Sequence, residues 1–408
     1  MVLKPKSIES AKKFIKREKI VFDTLAFKYA KNYNTFFETL KTDFELPIKY
    51  IDGKYFVTIP FEYNGITFGS GFELVECDSQ PIEKILPSLI SEISPLRWDI
   101  KNKIYYKDNF YKAQKFIVDG KINLGFIDDS GNMIRQQFNF DDSFTLLKKP
   151  IRKIGYFSQE EEKVIYFDKE NILYLRIPKM DRDKVTFYTN KIDSISNLGS
   201  KISKVVLDIR GNGGGSDRLY TSILKHIISE SVNEPYKVAF PKNDFILSYF
   251  GFKPTDVTVQ RNTLLGNSSF YLYGQNRKIK PDSTSIKYNN KIFILQDEFV
   301  YSAAGNLSAL AKSNSNIITI GNRTGLCGGK QTSPIYFSLP NSKLIYRLEP
   351  MLDFSNVNKI EDIFHDEVTD YIPQTFEDYK RRIFSENDIY SMGFLREYDP
   401  LFKIVVDY

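Results

Sequence analysis

The sequence predicts an α/β fold in which a largely parallel, helix-covered sheet follows a helical segment and a β-rich module. Three observations carry that expectation. First, two passages run from an apolar strand through a loop into a helical pattern: "KVVLDIRGNGGGSDRLYTSILKHII" at 204–228 and "KIFILQDEFVYSAAGNLSALAKSNSNIITIG" at 291–321. Strands alternating with helices build parallel sheets, and their chemistry gathers at the strand ends. Second, residues 46–147 alternate instead in short strands broken by turn pairs such as Asp52-Gly53 and Asn64-Gly65. Third, 408 residues with 42% hydrophobic and 15% aromatic content are enough for one large core or two to three smaller ones.

Taken in order, Ala11, Phe14, Ile15, Phe22, Leu25, Ala26 and Tyr29 recur at three- and four-residue spacing, which predicts helix from Ser7 to about Leu40. The alternating strands from Leu46 to about Leu147 follow, with one helix over roughly 81–93. The charged stretch "SQEEEK" at 158–163 reads as a solvated boundary. After it come a strand in "NILYLRIP" at 171–178, a helix over roughly 183–200, the strand "KVVLDI" and the glycine loop. The expected layout is a helical segment at 1–45, a β-rich module at 46–150 and an α/β core at 151–408. There is no internal repeat and no low-complexity tract.

Composition excludes several function classes. The net charge of +6 arises from 57 basic and 51 acidic residues mixed along the chain, which argues against a nucleic-acid surface. Two cysteines, Cys77 and Cys327, make no disulfide framework or thiolate metal site, and two histidines, His226 and His365, make no multi-histidine centre. No metal or other cofactor is expected. "MVLKPKSIESAKKFIKREK" is too polar for the apolar core of a signal peptide, and no stretch has the length of a membrane span, so the expectation is a soluble chain.

"RGNGGG" at 210–215 invites a phosphate-binding reading, which its spacing does not support. A dinucleotide fingerprint needs glycine at 211, 213 and 216, but 216 is serine. A nucleoside-triphosphate loop needs Gly-Lys-Ser/Thr, which Ser216-Asp217 does not supply, and Gly329-Lys330 is followed by Gln331. One or two of the glycines are explained by a tight turn. Four in five residues fit a loop whose N–H groups bind an oxyanion. The matching nucleophile is Ser302, directly after one strand and heading the small-residue helix "SAAGNLSALA". A serine there is also an ordinary helix N-cap, and it is the pair of junctions that favours chemistry. For its base, Lys330 in "GNRTGLCGGKQT" follows the next strand, and a buried lysine can serve. His226, on the apolar helix face "LYTSILKHII", reads as a packed or surface residue.

"VVLDIRGNGGG", "IFILQDEFVYSAAGNLSALA", "IGNRTGLCGGKQT" and "IYFSLPNSKL", in that order, resemble the S41 serine peptidases: the tail-specific or C-terminal processing proteases and their tricorn-core and interphotoreceptor-retinoid-binding-protein-like relatives. "VTDYIPQTFEDY" is similar to the family's closing segment, and "ITFGSGFELVECDSQPIEKIL" to part of its PDZ-like module. The resemblance implies a ClpP/crotonase-like core, a PDZ-like module at 46–150 and a polypeptide substrate. It also implies Ser302 as nucleophile and an oxyanion hole from the amides of Gly213 or Gly214 and of Ala303. Lys330 takes the base position of the processing proteases if Leu326, Cys327 and Gly328 are an insertion. The chain departs from the family in two places. "TLKTDFELP" at 39–47 lacks the histidine that the subfamily sharing "LPNS" uses, and Gly305 replaces the acidic residue three after the serine. Two functions therefore stay open: an active serine endopeptidase, and a catalytically impaired relative that binds peptides or apolar ligands. His365, with Asp366 or Glu367, is the alternative base. Family members are usually extracytoplasmic in bacteria, although no export signal is visible here; the oligomeric state stays open.

Overall fold

The computed structural model describes residues 44–87, 97–99, 101–113, 116–152, 161–261, 269–325, 335–338, 345–348, 350–355 and 369–408. The helix expected over 7–40, most of the later half of the one over 81–93, and Cys327, Lys330 and His365 lie outside the described residues. The chain divides into two compact units, one of 46–237, 274–328 and 354–408, the other of 1–45, 238–273 and 329–353.

In the larger unit, residues 46–152 form short antiparallel strands. β1 (Ile48–Ile51) and β2 (Lys54–Val57) pair with Ile51 opposite Lys54, so only Asp52 and Gly53 make the turn. Both residues have positive φ, 45° and 93°, which a two-residue hairpin requires and Asp-Gly supplies. Asn64 and Gly65 turn the hairpin Phe61–Tyr63 to Ile66–Phe68 in the same way. β1 and β2 continue into β3 (Glu73–Cys77), β4 (Lys121–Ile127) and β5 (Met133–Asn139), giving the order β1-β2-β3-β4-β5, with Gln80–Pro81 paired to β3. The helix expected near 81 begins as Ile82–Ile85.

The second sheet of this unit joins β6 (Lys163–Phe167), β7 (Ile172–Arg176), β8 (Lys204–Asp208), β9 (Ile292–Gln296), β10 (Ile317–Gly321) and β11 (Asp370–Tyr371) in sequence order. β6 is antiparallel to β7, and every later pair is parallel. Its strands are apolar on both faces because both are covered. Leu173 and Leu175, Val205 and Leu207, and Ile292 and Ile294 point into a core shared with α1 (Val185–Asn197), α2 (Asp217–Ile227) and α3 (Ala303–Ala309). The alternate residues Ile172 and Tyr174, Val206, Phe293 and Leu295 face a second core. That one is closed by α5 (Met392–Tyr398) and α6 (Pro400–Asp407), which follow α4 (Phe376–Phe384).

α4 starts at Thr375, whose hydroxyl and backbone form a reciprocal capping box with Asp378. Its Tyr379 and Ile383 pack on Ile51 of β1. In the smaller unit, Thr258–Arg261 pairs with Ser269–Leu272, and Val238–Ala239 with Leu352–Asp353, around an aromatic cluster that includes Phe240, Phe252 and Tyr271.

Candidate active site

β8 and β9 are neighbours, Asp208 lying beside Leu295, so the loops leaving their carboxyl ends start side by side. The loop after β9 reaches Ser302 through Asp297–Tyr301. Ser302 occupies the N-cap position of α3, but its side chain makes no capping hydrogen bond, and its backbone stands at φ 54°, ψ −125°. The Ala304 N–H donates to the Tyr301 carbonyl at 3.2 Å, closing a four-residue turn with Ser302 at its first central position. Those angles belong to a type II′ turn, where glycine is the usual occupant. Ordinary N-cap serines are extended and accept from the helix's first amides. Ser302 does neither, so the structure removes the capping explanation for it.

The glycine loop packs against that turn. A Cβ on Gly214, whose φ is 101°, would stand 2.6 Å from Ser302 Cβ, 2.7 Å from the Tyr301 carbonyl oxygen and 3.2 Å from the Ala303 nitrogen. One on Gly215, at φ 145°, would stand 2.2 Å from the Met180 carbonyl oxygen. These two positions need glycine for both conformation and space. Asn212, fully buried, shapes the loop. Its amide donates to the Ile177 carbonyl at 2.8 Å and its Oδ1 accepts from the Gly214 N–H at 2.8 Å. Its backbone carbonyl accepts from the Tyr301 N–H at 3.0 Å. The Gly214 amide is thus already committed. Among the described residues, the amides of Gly213 and Ala303 have no hydrogen-bond partner.

Asp297 makes a further tie. Its Oδ1 accepts from the Gly211 N–H at 2.9 Å and from the Phe299 N–H at 3.0 Å. Withdrawal from water and the neighbouring Glu298 push its carboxyl up to about 6, against the pull of those two amides.

Residues 171–363 match the model of peptidase family S41. The match spans 193 residues, just under half of the chain, and takes in both the glycine loop and Ser302. The chain is an S41-like serine peptidase, a hydrolase, and its fold is shared with solved structures. The crystal structure of mature CPAF is 14% identical at a TM-score of 0.55, covering 88% of this chain and 81% of its own. Mature CPAF complexed with lactacystin is 14% identical at 0.54, covering 88% and 82%. No curated protein matches the chain closely enough to count as a relative.

Around its paired loops the chain buries two charge clusters. In the first, Arg210 holds Asp208 through two bonds, Nε to Oδ1 at 2.9 Å and Nη2 to Oδ2 at 2.6 Å, and its Nη1 reaches Asp399 at 2.8 Å. Asp399 also takes Arg382 at 3.4 Å and caps α6 by accepting from the Leu401 and Phe402 amides. Arg176 donates to the Asp208 carbonyl and to Tyr390, and the Tyr174 hydroxyl donates to Asp208. Burial by itself drives the Asp208 carboxyl upward, but Arg210 and Arg176 outweigh it and hold the group well below the usual carboxylate range. A cavity of about 50 Å³ lies among Arg176, Arg210, Gly211, Asp297 and Asp399, enough for a water or two.

In the second cluster, Lys49 of β1 is buried with Glu298 at 3.1 Å, Asp108 at 3.8 Å and the Phe299 ring beneath it. Burial pulls its ammonium down, yet Asp108 and Glu298 more than offset that, so it stays charged and is unsuited to act as a base.

Of the residues singled out from sequence, the structure brings together Ser302, Ala303, Gly213 and Gly214. His226 is a buried residue near the far end of α2, bonded through Nε2 to Asp193 at 2.8 Å. It stands eleven positions beyond Gly215, roughly 15 Å along the helix. Sequence reasoning missed Asn212, Asp297 and the Asp208–Arg210 pair. The last had a signal, since an acid and a base two apart in "LDIR" at a strand's end share one side. Among the described residues no His, Cys, Asp or Glu side chains gather as a metal site, and no helix is long and apolar enough to cross a membrane.

Proposed function

We propose that the protein is an endopeptidase that hydrolyses extended or unfolded polypeptides through an acyl-enzyme on Ser302. The observation that carries this reading is the strained turn at Ser302, whose hydroxyl caps nothing, packed against a glycine loop with no room for a side chain. Strain of this kind persists where surrounding structure over-determines it and where function uses it. The oxyanion of the tetrahedral intermediate is received by the amides of Gly213 and Ala303, each worth about 3 kcal/mol of transition-state stabilisation. Gly214, a candidate from sequence, supports the loop instead, because its amide is bonded to Asn212.

Lys330 serves as the base that takes the Ser302 proton and returns it to the leaving amine; the resemblance to processing proteases and its place after β10 in sequence support it over His365. The antiparallel strands at 46–150 act as a PDZ-like module that presents substrate by strand addition to the core at 151–408, with 1–45 as a helical prelude. As for other family members, an extracytoplasmic location suits this role.

The test is labelling with a serine-directed fluorophosphonate together with casein cleavage. Wild-type protein should be labelled on Ser302 and should cleave. Ser302→Ala should lose both, roughly 10⁶-fold in kcat, without unfolding. Lys330→Ala should abolish labelling while His365→Ala keeps it. Gly305, where the family carries an acidic residue, favours the second reading, a peptide binder without turnover. Absence of labelling and of cleavage in the wild type, with peptide binding retained, would establish that reading.

A further inference from the structure

The peptidase reading needs two amides, from loops 90 residues apart in sequence, to address one oxygen atom. Hydrogen-bond donors in such a hole act through placement, and a misplacement of about 1 Å costs on the order of 10²-fold in rate. Two backbone bonds tie the loops, Ile209 N–H to the Leu295 carbonyl at their start and Tyr301 N–H to the Asn212 carbonyl near their tips. Between these two points, among the described residues, the side chain of Asp297 bridges the loops. It leaves the end of β9, yet its Oδ1 accepts from Gly211 of the other loop as well as from Phe299 of its own.

We propose that Asp297 is a positioning residue for peptide hydrolysis. Its single oxygen locks the glycine loop to the serine loop, and so fixes the Gly213 and Ala303 amides relative to Ser302. The proposal rests on the peptidase reading and deepens it.

Chain geometry makes the lock effective. Gly211 is two residues before Gly213, and Phe299 three before Ser302, so a bond at each leaves little slack before the reacting groups. Gly211 and Gly213–Gly215 have no side chains to hold the loop by packing. Stability alone is a weak reason for a carboxylate here, since it is drawn out of water beside Glu298, which opposes its charge. What the position gains is an acceptor with room for two amides. An asparagine carbonyl has the same capacity, and alanine has none.

Three forms of the full chain distinguish this role: wild type, Asp297→Asn and Asp297→Ala. Fluorophosphonate labelling rate and steady-state cleavage of a peptide ester are measured at pH 7.5, with hydrogen exchange of segments 209–216 and 297–303. Asp297→Ala should be labelled roughly 10²-fold more slowly, with kcat falling in proportion and KM within about threefold. Asp297→Asn should stay within about threefold of wild type and keep wild-type exchange in both segments.

Wild-type labelling by folded Asp297→Ala overturns the proposal, and so does an Asp297→Asn as slow as the alanine form. If Asp297→Ala does not fold, the asparagine form decides: fast exchange at 209–216 with an undiminished labelling rate overturns the lock, and protection with undiminished labelling supports it. If wild type is not labelled at all, the peptidase reading fails. The exchange measurement still judges the lock, which requires segment 209–216 to open in Asp297→Ala and stay protected in Asp297→Asn.

Discussion

Two stretches of one loop, Asp208–Arg210 and Gly213–Gly215, treat their polar groups in opposite ways. In the first, both carboxylate oxygens of Asp208 are occupied by Arg210, with Tyr174 adding to one of them, and Arg210 goes on to Asp399. In the second, the Gly213 amide has no partner among the described residues, and the loop abuts a serine held in a glycine's conformation. The difference shows where rigidity is made and where it is used. Three arginines and two aspartates, bonded between the end of the sheet and α4 and α6, hold the root of the loop. A few residues on, strain and an open donor can then survive.

The largest effect should come from breaking the satisfied half. Asp208→Ala leaves Arg176 buried without the carboxylate beside it and Arg210 with Asp399 alone, a loss of about 3–5 kcal/mol by urea denaturation. A loss below about 1 kcal/mol would mean that the cluster does not anchor the loop. Acid should act on the same group. Asp208 titrates below its unfolded value, so its stabilisation is complete above about pH 4 and disappears as pH falls through the depressed value. Asp297 runs the other way. Its raised pKa means that its contribution is complete below about pH 4 and lost as pH rises through about 6. The stability of Asp297→Asn relative to wild type should therefore improve from pH 4 to pH 7, while the deficit of Asp208→Asn should shrink as pH falls below about 4.

Breaking the strained half should cost activity more than stability. The methyl of Gly214→Ala meets Ser302 Cβ at 2.6 Å and the Tyr301 carbonyl at 2.7 Å, and the backbone there has φ 101°. One of the two loops must move. Fluorophosphonate labelling should fall at least roughly 10²-fold, with about 1–3 kcal/mol lost in stability. Gly213→Ala, whose φ is not positive, should be milder in stability. Equal labelling by Gly214→Ala and wild type would show that the contact does not set the site.

How much of this was legible beforehand follows from what local sequence encodes. The hairpins at Asp52-Gly53 and Asn64-Gly65, the strand at 172–176 and the helix at 185–197 depend on turn chemistry and periodicity, and they lie where the sequence places them within a few residues. The meeting of Ser302 with the glycine loop was readable because both follow apolar strands of one parallel sheet. That the Gly214 amide is taken by Asn212 was not, because it depends on where the Asn212 side chain turns. Nor was Asp297, an acidic residue in "LQDEFVY" whose bond to Gly211 spans 86 positions. The bonding of Lys49 to Glu298 spans 249 positions, beyond the reach of any spacing rule.

The smallest effect tests the strain itself, and its sign carries the information. At an unstrained position glycine is less stable than alanine by about 0.5–1 kcal/mol, because the unfolded chain gains freedom. At Ser302 the folded backbone sits at φ 54°, ψ −125°, where a Cβ costs roughly 1–2 kcal/mol. Ser302→Ala keeps that Cβ and loses a hydroxyl that caps nothing, so its stability should equal that of wild type. Ser302→Gly relieves the strain and gives back part of the gain in chain entropy, leaving it more stable than Ser302→Ala by on the order of 0.5 kcal/mol. On the proposed mechanism both variants lack the nucleophile, so catalysis does not enter the comparison. A glycine form less stable than the alanine form would show a relaxed turn, and the contrast between a satisfied root and a strained tip would then rest on the open Gly213 and Ala303 amides alone.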